Sequence, residues 1–201
     1  MCLRAINRTL RLSLSTQRKP SIRILAIPAT NSRNGINHQL LSSAGRLLED
    51  GLVAGAEVEI IDLNEYEMPI YSTEREREDG IPEQARRLYA EIGSADAVIV
   101  SFAEHNGSYT SAWKNVFDWV SRIDMLVFQG KKVAMFAATP GPRGGAGVLG
   151  SATMAAPFFG ADLVGSLGIP TFHESFDSET GEIRDPEARN KLEKILGALA
   201  G

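Results

Sequence analysis

The chain has 201 residues, 43% apolar and 23% charged, the balance of one globular domain large enough to cover a sheet with helices on both faces. A net charge of -4 gives neither a nucleic-acid nor a membrane-surface footprint, and no apolar run approaches the roughly 20 residues that span a bilayer. One cysteine, Cys2, and three scattered histidines, His38, His105 and His173, leave no disulfide framework and no metal-ligand spacing, so a soluble, cytoplasmic protein without a metal is expected.

Charge is unevenly spread. Residues 1–20 carry Arg4, Arg8, Arg11, Arg18 and Lys19 and no acid, while the rest sets 16 basic against 25 acidic side chains, a balance of -9. The Arg- and Ser-rich start superficially matches an organellar transit peptide. It reads more simply as a flexible basic tail, with the folded domain at 21–201.

From Ser21 the chain alternates two periods. Residues 22–27 form a short apolar run, and Ile36, Leu40, Leu41, Ala44, Leu47 and Leu48 follow at helical spacing, with Gly51 and Gly55 as stops. Residues 58–63 read as a second strand, and the mixed charge run Glu74–Asp79 as a solvated loop. Pro82 opens a helix carrying Ala85, Leu88, Tyr89 and Ile92. Residues 97–102 are apolar enough to be covered on both faces. Trp113, Val116, Phe117 and Val120 mark a third helix, 133–138 a fourth strand, 146–160 a helix, and 163–169 a fifth strand. Pro186 starts a terminal helix with Leu192, Ile195, Leu196 and Leu199. Five strands interleaved with helices predict a doubly wound parallel α/β sheet.

In such sheets ligands sit outside the carboxyl ends of the strands, which singles out three loops. The first runs from Ala29 to Asn37 and leads into a helix. Its hydroxyls and amides, Arg33, and the helix head suit a phosphate monoester. It has neither the G-x-G-x-x-G spacing of dinucleotide folds nor a P-loop lysine. A polar turn with an N-cap would look the same.

The second loop, Ala103–Thr110, holds Asn106, which donates and accepts at once, and Gly107, which lets a backbone approach closely. That mixture is what the pyrimidine edge of a flavin requires. His105 and Tyr109 read equally well as an ordinary loop residue and a half-buried aromatic. The third loop, Thr139–Ala146, packs three glycines and two prolines around Arg143. Its amides could steady negative charge on the N1/O2 side of a reduced flavin.

Taken together, Glu104-His105-Asn106-Gly107-Ser108, then Lys114-Asn115 and Asp118-Trp119, resemble the "PEYNGS…KNxxDW" signature of the NADPH-dependent FMN reductase family, which includes quinone, chromate and azo-dye reductases. Thr139-Pro140-Gly141 with Arg143-Gly144-Gly145 is similar to its "SPGxxGG" loop, and Met68-Pro69-Ile70-Tyr71 to its "LPxY" segment. The resemblance covers residues 22–170 and implies a flavodoxin-like fold with strand order 2-1-3-4-5. By the same resemblance, Asn31, Ser32, Arg33 and Asn37 match the FMN phosphate loop. Glu104, His105, Asn106 and Gly107 match the lining of the isoalloxazine, with Pro140, Gly141 and Gly144 in the third loop. Departures are Ala29-Thr30 for the usual Gly-Ser, Gly35 for a frequent Ser, Ala103 for Pro, and His105 for Tyr.

The implied activity passes hydride from NAD(P)H to FMN and then to a second acceptor, such as free flavin, a quinone, an azo compound or a metal oxyanion. The cofactor carries that chemistry, so no acid–base dyad is expected. A homodimer or homotetramer is implied. The alternatives are a non-enzymatic flavodoxin-like electron carrier, or a degenerate member that no longer binds flavin.

Overall fold

The computed structural model describes residues 21–200, so the expected basic tail at 1–20 lies outside the described residues. The chain runs β1 (Ile22–Ala29), α1 (Ile36–Leu47), β2 (Ala56–Ile60), α2 (Thr73–Asp79), α3 (Glu83–Ser94), β3 (Ala97–Phe102), α4 (Ser111–Val120), β4 (Lys132–Ala138), α5 (Ala146–Ala155) and β5 (Asp162–Ile169). A short α6 (Phe172–Ser175) and a two-stranded β6 (Phe176–Asp177) and β7 (Glu182–Ile183) precede α7 (Pro186–Gly197).

The main sheet is parallel in the order β2-β1-β3-β4-β5, the flavodoxin-like winding. Alternate residues of each strand enter opposite cores. Leu25, Ile27, Val98, Val100, Val133 and Met135 pack with α3, α4 and α5, while Ile24, Ala26, Ile99, Ala134 and Phe136 pack with α1 and α7. Both faces are therefore covered, which is why β3 is buried along its whole length and reads as an unbroken apolar run.

Three expectations change. The charge run Glu74–Asp79 is not a loop but most of helix α2. Ser72 Oγ accepts from Arg75 N–H at its head, and Gly80 ends it at φ 76°, while no residue of it is buried. The helix expected over 146–160 divides at Ala156, where Pro157 opens a 3-10 turn that Gly160 closes at φ 71°. Between the fifth strand and the last helix, α6 and the small hairpin appear where no strand or helix was expected.

Candidate active site

The carboxyl ends of β1, β3 and β4 border a cleft of about 310 Å³, at the point where the sheet order reverses between β1 and β3. Thr30 and Ser32 follow β1, and Gly35 to Asn37 form the head of α1. Ala103 to His105 come from the loop after β3, and Ala138 to Pro140 from the end of β4. All three loops singled out from the sequence thus meet at one place.

The head of α1 is open. Gly35 is its N-cap, in extended backbone, and no side chain caps the helix. The N–H groups of Ile36 and Asn37 have no partner within the helix by geometry, so they present donors and the positive end of the helix to the cleft. Buried Thr30 shapes the approach, its Oγ1 accepting from Ser32 N–H at 3.2 Å.

Asn37 itself turns inward. Its amide nitrogen donates to Ala138 O at 3.0 Å, and its Oδ1 accepts from Ala138 N–H at 2.9 Å and from Ser101 Oγ at 2.8 Å. The side chain therefore pins α1 to the ends of β3 and β4, leaving one amide hydrogen for anything in the cleft. Arg33 points outward, with Nε donating to Asp62 Oδ2 at 3.0 Å. The Asn64 side chain, then its backbone N–H, hold the Asp62 carboxyl below the usual carboxylate range, and Arg33 adds to this. Asn31 O accepts from Asn64 Nδ2 at 3.0 Å. Asn31 and Arg33 thus brace the loop against the segment after β2, and Ser32 is the one of the four proposed phosphate residues whose side chain borders the cleft without such a role.

In the second loop, His105 and Ser108 exchange both backbone hydrogen bonds, at 3.0 and 3.1 Å, around Asn106 at φ 53° and Gly107 at φ 77°. Two consecutive positive φ values make a type I′ turn, the conformation for which Asn-Gly is the preferred pair. His105 borders the cleft, and Asn106 and Gly107 form the exposed tip of the turn beside it. Glu104 Oε1 accepts from the N–H groups of Gly147 and Val148 at 3.0 and 3.1 Å, so this loop is fastened to α5.

The third loop is shaped by close packing. Gly145, N-cap of α5, lies at φ 74°, and a Cβ there would stand 2.6 Å from Ala137 Cβ. Gly144 rests on the backbone of Gly168 and Pro170, and Gly141 O accepts from Thr171 N–H at 3.0 Å. Pro140 borders the cleft, whereas Gly141 and Gly144 hold the loop on the end of β5. The expected steadying of negative charge is also narrower than the sequence implies, because two of the α5 N–H groups already serve Glu104.

Of the cleft's walls, only Ala138 lies outside the three loops singled out from the sequence, and its signal was position alone, as the last residue of β4.

This donor set suits FMN. A phosphate monoester would take the open head of α1 and the Ser32 hydroxyl. A planar ring would lie along the edge made by Ala103 to His105 and by Pro140. A doubly wound sheet with an uncapped helix head and a tight turn at its switch point is an architecture in which α/β proteins hold flavins and nucleotides. Residues 22–174 match the family described as NADPH-dependent FMN reductase, and the chain belongs to that family. Its cofactor is accordingly FMN, its reductant NAD(P)H, and its class that of the oxidoreductases.

Among relatives, a probable NADPH:quinone oxidoreductase of Oryza sativa subsp. japonica is 24% identical, over 89% of this chain and 87% of its own. A quinone reductase of Escherichia coli (strain K12) is 28% identical, over 66% and 70%. A solved structure of a flavoenzyme NAD(P)H:(acceptor) oxidoreductase from Paracoccus denitrificans superposes with TM-score 0.68 at 22% identity, covering 89% of this chain and 95% of that one. At that identity the superposition speaks for the fold.

Proposed function

We propose that the cleft at the β1/β3 switch point holds FMN and that the chain uses it to carry reducing equivalents from NAD(P)H to a quinone or free flavin. The observation that carries this reading is the convergence of three loops on one cleft, one of them ending in an uncapped helix head. Bound FMN supplies the centre that takes hydride and passes two electrons on. The protein's part is to bind and orient. The head of α1 and Ser32 hold the phosphate, Asn37 keeps that head fixed on β3 and β4, and the His105–Ser108 turn with Pro140 sets the ring's edge.

The proposed working unit is at least a homodimer, in the cytoplasm; among the described residues, no helix is long and apolar enough to cross a membrane. What supports self-association is an apolar face on the α4–α5 side. Met154 and Phe158 are 73% and 75% exposed there, beside an apolar cavity of about 170 Å³ lined by Trp113, Phe117 and Phe159. Steady-state NADPH oxidation with a quinone acceptor tests the activity. Sustained turnover marks an enzyme, and bound flavin that NADPH and NADH leave oxidised marks a carrier. M154E/F158E should elute at monomer mass in light scattering, and an unchanged mass rejects this face.

A further inference from the structure

Helix α5 lacks a cap of its own. Its N-cap, Gly145, has no side chain and no room for one, since an added Cβ would stand 2.6 Å from Ala137 Cβ. The cap arrives instead from 43 residues away, as Glu104 Oε1 on the N–H groups of Gly147 and Val148. The docking is close. A Cβ at Gly147 would meet both Glu104 Oε1 and Gly107 O at 2.7 Å, so glycine at 147 lets the carboxylate and the Asn-Gly turn lie directly on the helix. Glu104 also lines the cleft.

We infer that Glu104 is a positioning residue with two separable effects on bound flavin, an inference that rests on the FMN reading of the cleft. Its tether fixes the His105–Ser108 turn against α5 and so sets the width of the ring site. Its charge offsets the positive end of α5, which would otherwise favour the more negative, reduced form of a flavin alongside. Glu104 thereby keeps the cofactor a stronger reductant than the bare helix end would allow.

Two variants separate the effects. E104Q keeps the shape and an acceptor oxygen but loses the charge. G147A keeps the charge and pushes the turn and carboxylate off the helix. The readouts are FMN affinity by fluorescence titration, the midpoint potential of the bound flavin against a reference dye, and the melting temperature of the apoprotein.

E104Q should bind FMN nearly as well as wild type while its potential rises. The expected rise is at least tenfold in the reduced-to-oxidised ratio, about 30 mV for a two-electron couple. G147A should lose about tenfold or more in FMN affinity and melt lower, although alanine ranks above glycine in a helix. A purely helical effect would raise its melting temperature instead. Flavin bound to E104Q at an unchanged or lower potential overturns the charge effect. G147A with wild-type affinity and a higher melting temperature overturns the tether. Wild-type protein that takes up no FMN overturns the reading of the cleft, a distinct result that takes this inference with it.

Discussion

Replacing Asn37 by alanine removes three hydrogen bonds in one step and leaves Ser101 Oγ and both backbone groups of Ala138 without their partner. Asn37 is 2% exposed and Ser101 fully buried. Each orphaned buried group costs about 1–3 kcal/mol, and because Ala138 borders the cleft, water can re-satisfy part of the loss. A net cost of about 3 kcal/mol follows, or a melting temperature lower by about 6–12 °C for a domain of this size. Adding S101A should return part of the loss, with a coupling of about 1 kcal/mol in the double-mutant cycle, since the two side chains serve each other. Differential scanning calorimetry of the apoprotein reads this without any flavin. An N37A protein melting within about 2 °C of wild type, yet binding FMN much more weakly, would refute the reasoning. Asn37 would then be a ligand of the phosphate, and not the brace of the helix that faces it.

Asp62 supplies a pH signature. Its folded pKa lies below the ordinary value of 3.8, so its contribution is present in full above that value and is lost as pH falls through the folded one. The stability difference between wild type and D62N should therefore be flat through neutral pH and shrink below about pH 4; a difference that changes between pH 6 and 8 contradicts the assignment. G35S adds a hydroxyl at an N-cap whose extended backbone accepts it, with its Cβ a tight 3.2 Å from Ser32 O. FMN affinity should tighten about fivefold, the worth of one net hydrogen bond near 1 kcal/mol, and weaker binding would show that the loop cannot yield there. G145A combines a positive φ with the 2.6 Å approach to Ala137 Cβ, and urea denaturation should show a loss of about 2–4 kcal/mol. An unchanged midpoint would mean that the loop relaxes freely.

The sheet was legible because its central strands are buried on both faces, so β3 and β4 stand out as apolar runs whatever their neighbours. The cleft's location was legible through the switch-point rule; the type I′ turn was not expected, although Asn106-Gly107, the pair that sets it locally, stood in plain view. Side-chain direction was not legible. Asn37 faces Ala138 across 101 residues, and Glu104 reaches α5 across 43, so neither bond leaves a local trace. Both residues border the cleft, as the resemblance implies, but a polar side chain in a binding loop carries no local sign that it also braces the scaffold. Helix α2 was missed for a different reason. None of its residues is buried, so no apolar stripe marks it, and only Ser72 and Gly80 signal its ends. The β6–β7 hairpin has two-residue strands, too short for any period to show.

The central claim is best tested by the visible spectrum of the purified protein after FMN addition and desalting, followed by NADPH under anaerobic conditions. The account predicts flavin absorbance that stays with the protein and bleaches rapidly. Protein that retains no flavin, and binds none on direct titration, would contradict it.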